Sequence, residues 1–142
     1  IMTVEIKILG KLKKGERLYM LNMGNIIAQK LREVVSEGEL GIDYTFDGER
    51  DKNIALRRKY RVNDAKMKKI LLDITEKHYI KSESSKNEIH QDDVVHIFKI
   101  REDLILRYEE DFSCVNVCIY VKITWPNGEV PMYIISFHED EE

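Results

Sequence analysis

The order of hydrophobic periods along the chain predicts an α+β domain, an antiparallel sheet with helices packed on one face. Three observations carry this. Apolar residues recur at helical spacing in the first half, the period switches to two from Val94 onward, and Pro126-Asn127-Gly128 places a strong turn between the last two alternating stretches. The chain has 142 residues, 43% apolar and 35% charged, with only 7 Gly and 2 Pro, which suits one globular domain with a heavily charged surface. A single domain over 1–142 is therefore expected, with neither repeats nor linkers.

The elements follow in order. Val4-Glu5-Ile6-Lys7-Ile8 alternates apolar with charged residues, and after the turn-like Lys13-Lys14-Gly15-Glu16 comes a second extended stretch, 18–23. Residues 1–24 thus read as an N-terminal β-hairpin added to a core of 25–142. Asn25 can cap a helix reaching about Ser36, because Ile27, Leu31, Val34 and Val35 share one face and Gly38 supplies the stop. Residues 39–51 have glycines towards both ends and no sustained period, so a loop around a short extended piece is expected. A short helix fits 52–59. Asn63 or Asp64 caps the next, where Met67, Ile70, Leu71 and Ile74 fall at i, i+3, i+4 and i+7 and make a core stripe. The polar run 82–93 reads as an exposed, mobile connection. Strands are expected at 94–100, 104–108, 117–125 and 130–138, the last two forming an antiparallel hairpin.

Charge is unevenly spread. The net charge is −3 and the pI about 5.9, which argues against a chain coated for indiscriminate nucleic-acid binding. Residues 52–69, however, hold eight Lys and Arg against the single acid Asp64, a local +7 that would attract phosphates. The acidic tail Glu139-Asp140-Glu141-Glu142 reads most simply as a solubilising terminus, and it could also repel RNA or compete for that basic segment. No apolar run approaches the roughly 20 residues of a bilayer helix and no leader pattern opens the chain, so a cytoplasmic protein without a membrane is expected.

Candidate chemistry lies on the strand 117–125. Alternation sets Val117, Ile119, Val121, Ile123 and Trp125 on one face and Cys118, Tyr120, Lys122 and Thr124 on the other. A phenol and an ammonium two residues apart suit a phosphate or a proton transfer, although half-solvated strands carry the same pair outward for solubility. Cys114 and Cys118 are too far apart along a strand to bridge and lack the spacing of a zinc or redox pair. His78, His90, His96 and His138 form no metal-binding pattern, and glycine-rich phosphate loops and nucleophile elbows are missing, so neither metal nor cofactor is expected.

Read in order, several segments resemble the MqsR-type toxins of bacterial type II toxin and antitoxin systems. They are Arg50-Asp51-Lys52-Asn53 with Ile54-Ala55-Leu56, the helix 66–75, the motif His78-Tyr79-Ile80-Lys81-Ser82, the strand Val94-Val95-His96-Ile97-Phe98-Lys99, the Tyr-X-Lys strand Ile119-Tyr120-Val121-Lys122-Ile123, and the closing Ile134-Ile135-Ser136-Phe137-His138-Glu139. The resemblance covers about two thirds of the chain, from Arg50 onward. It implies a RelE-like α+β fold and a metal-independent endoribonuclease that cuts messenger RNA and is neutralised by a cognate antitoxin protein. It places catalysis on Lys81 and Tyr120, with Lys122 as a phosphate contact and His96 or His138 in support. His138 stands where some members of the family have Lys. Arg57, Arg58 and Lys59, together with His138, are then the RNA-binding candidates. Cleavage beside a 2′-hydroxyl needs a base, an acid and positive charge at the phosphorus, which these side chains could supply. The competing expectation is a non-catalytic interaction protein, of phage or mobile-element origin, that binds a protein or a small anionic ligand on the same scaffold.

Overall fold

The computed structural model describes residues 14–85 and 93–141. Its elements run α1 (Lys14–Glu37), β1 (Tyr44–Phe46), α2 (Asp51–Lys59), α3 (Asp64–Leu72), β2 (Tyr79–Ser84), β3 (Val94–Ile105), β4 (Cys114–Thr124) and β5 (Met132–Glu139), with single 3₁₀ turns at Glu76–His78 and Pro126–Gly128. The expected α+β class stands. The five strands form one sheet in the order β1-β5-β4-β3-β2.

That sheet is mixed rather than antiparallel. β2 to β5 make an antiparallel meander, but β1 pairs parallel with β5, Tyr44 opposite Met132. Parallel pairing requires a long crossover, and everything from α2 to β4 lies between those two strands.

The helices do cover one face. Ile27, Leu31 and Val35 of α1, Leu56 of α2 and Met67, Ile70 and Leu71 of α3 share a core with Phe98, Ile100, Val117, Ile119, Val121, Ile134 and Phe137 of the sheet. The stripe expected from Met67 to Ile74 is wholly buried, and Asn63 is the cap, its side chain accepting from the Lys66 N–H at 2.8 Å. Close approach of α1 to β2 depends on Gly24, where a Cβ would meet the Tyr79 ring at 2.8 Å. The β4–β5 hairpin forms as expected, with Gly128 at φ +77° closing its turn.

Two expectations are corrected at the level of elements. The second arm of the N-terminal hairpin, 18–23, is helical, because α1 begins at Lys14 and passes through Asn25 without a cap there; the first arm, Val4 to Ile8, lies outside the described residues. Apolar clusters such as Leu18-Tyr19-Met20-Leu21 suit either period, and the continuous helix takes them. The separate strands at 94–100 and 104–108 are one strand as far as Ile105. Its charged middle is no turn, because Arg101 and Asp103 both bond Asn116 across the pair, at 3.0 and 3.1 Å, while Glu102 meets Lys69 at 3.4 Å on the helix side. His90 and most of the expected polar connection fall within 86–92, outside the described residues, whereas Ser82 to Ser84 already belong to β2.

Candidate active site on the open sheet face

Cross-strand register decides which candidate side chains share a face. Tyr120 lies opposite Lys99 on β3 and His138 on β5, and Lys122 lies opposite Ile97 and Ser136. Lys81 pairs with Ile97, so it shares this face as well. With β3 between them, Lys81 and Lys122 stand two strands apart, about 10 Å between backbones. The face that collects these groups is the one turned away from the helices.

At its centre the rings of Tyr120 and His138 stack, with centroids 5.1 Å apart and planes within 15°. Nδ1 of His138 lies 2.9 Å from the Glu139 carbonyl oxygen. A carbonyl only accepts, so the neutral ring carries its proton on Nδ1 and keeps the lone pair on Nε2. Burial lowers the His138 pKa, with Lys52 and Arg50 pushing the same way and the bond to the Glu139 carbonyl and the charge of Glu141 opposing, and the net lowering leaves the ring neutral at pH 7. Burial raises that of Tyr120, reinforced by Glu83 and Asp140 and opposed by Arg50, so the phenol keeps its proton. The pair thus offers a lone pair and a hydroxyl proton side by side.

Charges ring the pair. Lys99 is 7% exposed and meets Asp140 at 2.9 Å, directly beside Tyr120. Lys81 is held by Glu83 at 3.1 Å. On the same face, a cleft of about 410 Å³ has Val95, Ile135 and Tyr133 among its walls, with Arg50 and Lys122 supplying cations and Asp47, Glu83 and Asp93 carboxylates. Arg50 arrives from the residue preceding α2, and α2 is held along the sheet edge by Asn53. That fully buried amide donates to the Asp47 and Ile135 carbonyls at 2.8 and 3.0 Å and accepts the Phe137 N–H at 2.9 Å, beyond the last residue that β1 pairs.

The structure divides the candidates expected from sequence. Lys81, Tyr120, Lys122 and His138 come together on the open face. His96 does not join them, which corrects its expected support of Tyr120. It pairs with Ile123 on the opposite face, where its Nδ1 lies 2.6 Å from Ser82 Oγ, Ser82 bonds the Tyr79 hydroxyl at 2.8 Å, and the ring tilts against Trp125 at 5.6 Å. Arg57, Arg58 and Lys59 lie on α2. Arg57 bonds Asp64 at 3.0 Å and covers the Phe46 ring at 4.8 Å, and Lys59 meets Glu139 at 3.3 Å. The tail does reach the basic segment, since Glu141 also meets Lys52 at 3.3 Å.

Sequence reasoning missed Arg50, Lys99, Glu83 and Asp140. For Lys99 a signal existed, because it sits in phase with Ile97 and Val95 on an alternating strand. Arg50 had none, because its direction depends on how α2 docks. Among the described residues no group of three or more His, Cys, Asp or Glu side chains is arranged to hold a metal ion, and no helix is long and apolar enough to cross a membrane. No family model matches the chain, and neither does any characterised protein or solved structure.

Proposed function

We propose that this chain is an endoribonuclease of the MqsR, RelE-like kind, which cuts single-stranded RNA on the open sheet face without a metal ion and is neutralised by a cognate antitoxin that covers that face. The observation that carries the reading is the stacked Tyr120–His138 pair with Arg50, Lys81 and Lys122 around it. It replaces the acid and base pairing of Lys81 with Tyr120 by one of His138 with Tyr120, and gives Lys81 an electrostatic part.

The chemistry follows from the protonation states. His138 Nε2 takes the proton of the ribose 2′-hydroxyl as its oxygen attacks phosphorus. The bond from phosphorus to the 5′ oxygen breaks, and Tyr120 gives its proton to the departing oxygen. The products are a 2′,3′-cyclic phosphate and a 5′-hydroxyl. Lys122, Arg50 and Lys81 stabilise the charge that gathers on the non-bridging oxygens in between.

The test is cleavage of single-stranded RNA by the purified chain in EDTA. Tyr120→Phe and His138→Gln should each lower kcat by about 10² or more. The base must be neutral, so the rate rises with pH through a value below the ordinary 6.5 of histidine, and it then holds on the alkaline side because Tyr120 titrates above 10. Wild-type rates from a variant carrying both Tyr120→Phe and His138→Gln, or cleavage that disappears with EDTA, would sink the assignment. RNA retained without any cleavage would favour the non-catalytic interaction protein instead.

A further inference from the structure

The loop between β1 and α2 has a second cleft on its other side. Asp47 and Arg50 face the open-face cleft, whereas Phe46 and Gly48 border a cleft of about 430 Å³ on the helix side, so 46–50 is a wall common to both. Three guanidinium groups, those of Arg57, Arg58 and Arg107, line this second cleft beside Tyr108. Nothing in the catalytic proposal uses Arg107 or Tyr108.

Their chemistry is specific. Arginine keeps its charge at every physiological pH, and its planar fork matches phosphate oxygens two at a time. Arg107 is pre-set, with Nε donating to the Arg57 carbonyl at 2.7 Å and an Nη to that of Tyr60 at 3.3 Å. Those partners are neutral carbonyls, which do not offset its charge. The Arg57 guanidinium lies 4.8 Å from the centre of the Phe46 ring, with Asp64 at 3.0 Å from one terminal nitrogen and Met67 Sδ at 3.5 Å from the other, so Asp64 takes up part of its charge. Arg58 is exposed. Tyr108 is 85% exposed, an unusual cost for an aromatic ring, on a backbone tied down next door by the Arg107 N–H to the Lys59 carbonyl at 2.9 Å. A solvent-facing ring beside guanidinium groups, one of them held in place by backbone carbonyls, is an arrangement that can bind a base by its face and the adjoining phosphate by charge.

We propose that this arginine cleft is a nucleotide subsite, with a phosphate on Arg57, Arg58 and Arg107 and a base stacked on Tyr108. Its occupant is a nucleotide of the same RNA strand, beyond the cut, which reaches it over the wall at Gly48, where a side chain would meet no heavy atom within 4 Å. That last identification rests on the endoribonuclease reading; the nucleotide chemistry does not.

Adenosine 5′-monophosphate, adenosine and inorganic phosphate, each titrated into the full chain by calorimetry and amide NMR, make the test. AMP should bind at least about fivefold more tightly than inorganic phosphate, because one stacked base contributes a factor of about 5 to 150. It should also bind more tightly than adenosine, which lacks the phosphate, and should shift the amides of 107–108 and 57–58. Arg58→Gln with Tyr108→Ala, both at exposed positions, should weaken AMP about tenfold or more at an unchanged melting temperature, while Tyr120→Phe leaves it unaltered. Equal affinity in the double variant, shifts confined to Tyr120 and His138, or no binding at millimolar AMP would overturn the subsite. Phosphate binding as tightly as AMP would overturn the stacking. AMP has no phosphodiester to cut, so these outcomes do not depend on catalysis. If the chain cleaves RNA, the double variant should also raise KM for a long strand, and an unchanged KM would overturn the assignment to that strand.

Discussion

Asn53 takes the place of a neighbouring strand at the β5 edge. One buried amide meets an N–H and a C=O of β5 where β1 has ended, and the same amide ties down Asp47, so the sheet edge, the loop and α2 are fixed by a single side chain. Asn53→Ala would leave the Phe137 N–H and two carbonyls short of a partner and should cost about 2–4 kcal/mol, read from the midpoint of urea unfolding. Asn53→Asp separates the roles, since a carboxylate still accepts from Phe137 but repels both carbonyls; it should fall at least as far, and a neutral result would show that the edge is not held this way. Nothing in the sequence marks Asn53 for this. An Asn at the start of a helix reads as solvent-facing, and only the position of β5 beside it makes it a core residue.

The helix-side end of β2 and β3 depends on a chain of polar contacts. Tyr79, Ser82 and His96 are linked in series, and His96 packs on Trp125, whose ring lies 4.2 Å from the Lys30 ammonium of α1. Burial, and then Lys30, lower the His96 pKa to about 4. Such a depressed group contributes stability that is complete above 6.5. The contribution falls as pH drops from there towards 4, because the unfolded chain binds the proton first. The urea midpoint should therefore decline between pH 6.5 and 4, and His96→Gln should flatten that decline. An equal slope in both proteins would assign the acid sensitivity elsewhere. The strand containing His96 was legible, but not which face its ring takes, because Val94-Val95-His96-Ile97-Phe98 is apolar on both sides of the alternation and only pairing with Ile123 places it.

Over the whole molecule, the acidic end of β5 and the basic α2 lie against one another. Glu139 meets Lys59 and Glu141 meets Lys52, in exposed pairs of the kind whose net contribution to stability is only about 0–1 kcal/mol. If the proposed endoribonuclease reading holds, their larger effect is on the field that an RNA strand meets. Glu141→Gln should leave the melting temperature unchanged and raise affinity for single-stranded RNA about two- to fourfold at low salt, with the gain fading as salt screens the charges. Filter binding at two ionic strengths reads this directly, and an unaltered affinity at low salt would remove the tail from the RNA path.

The sequence by itself determined the α+β class, the helices α2 and α3 with the cap of α3 at Asn63 or Asp64, the β4–β5 hairpin and the sorting of Tyr120 and Lys122 away from the core. These are local, set by periodicity of two or 3.6 and by turn and cap chemistry within a few residues. The tertiary structure decided the rest. Parallel pairing of β1, the meeting of Tyr120 with His138, the exclusion of His96 and the arrival of Arg50, Arg107 and Tyr108 at clefts all depend on strand register and helix docking between segments tens of residues apart. A shift of one residue in the register of β3 or β5 against β4 would turn His96 or His138 to the other face.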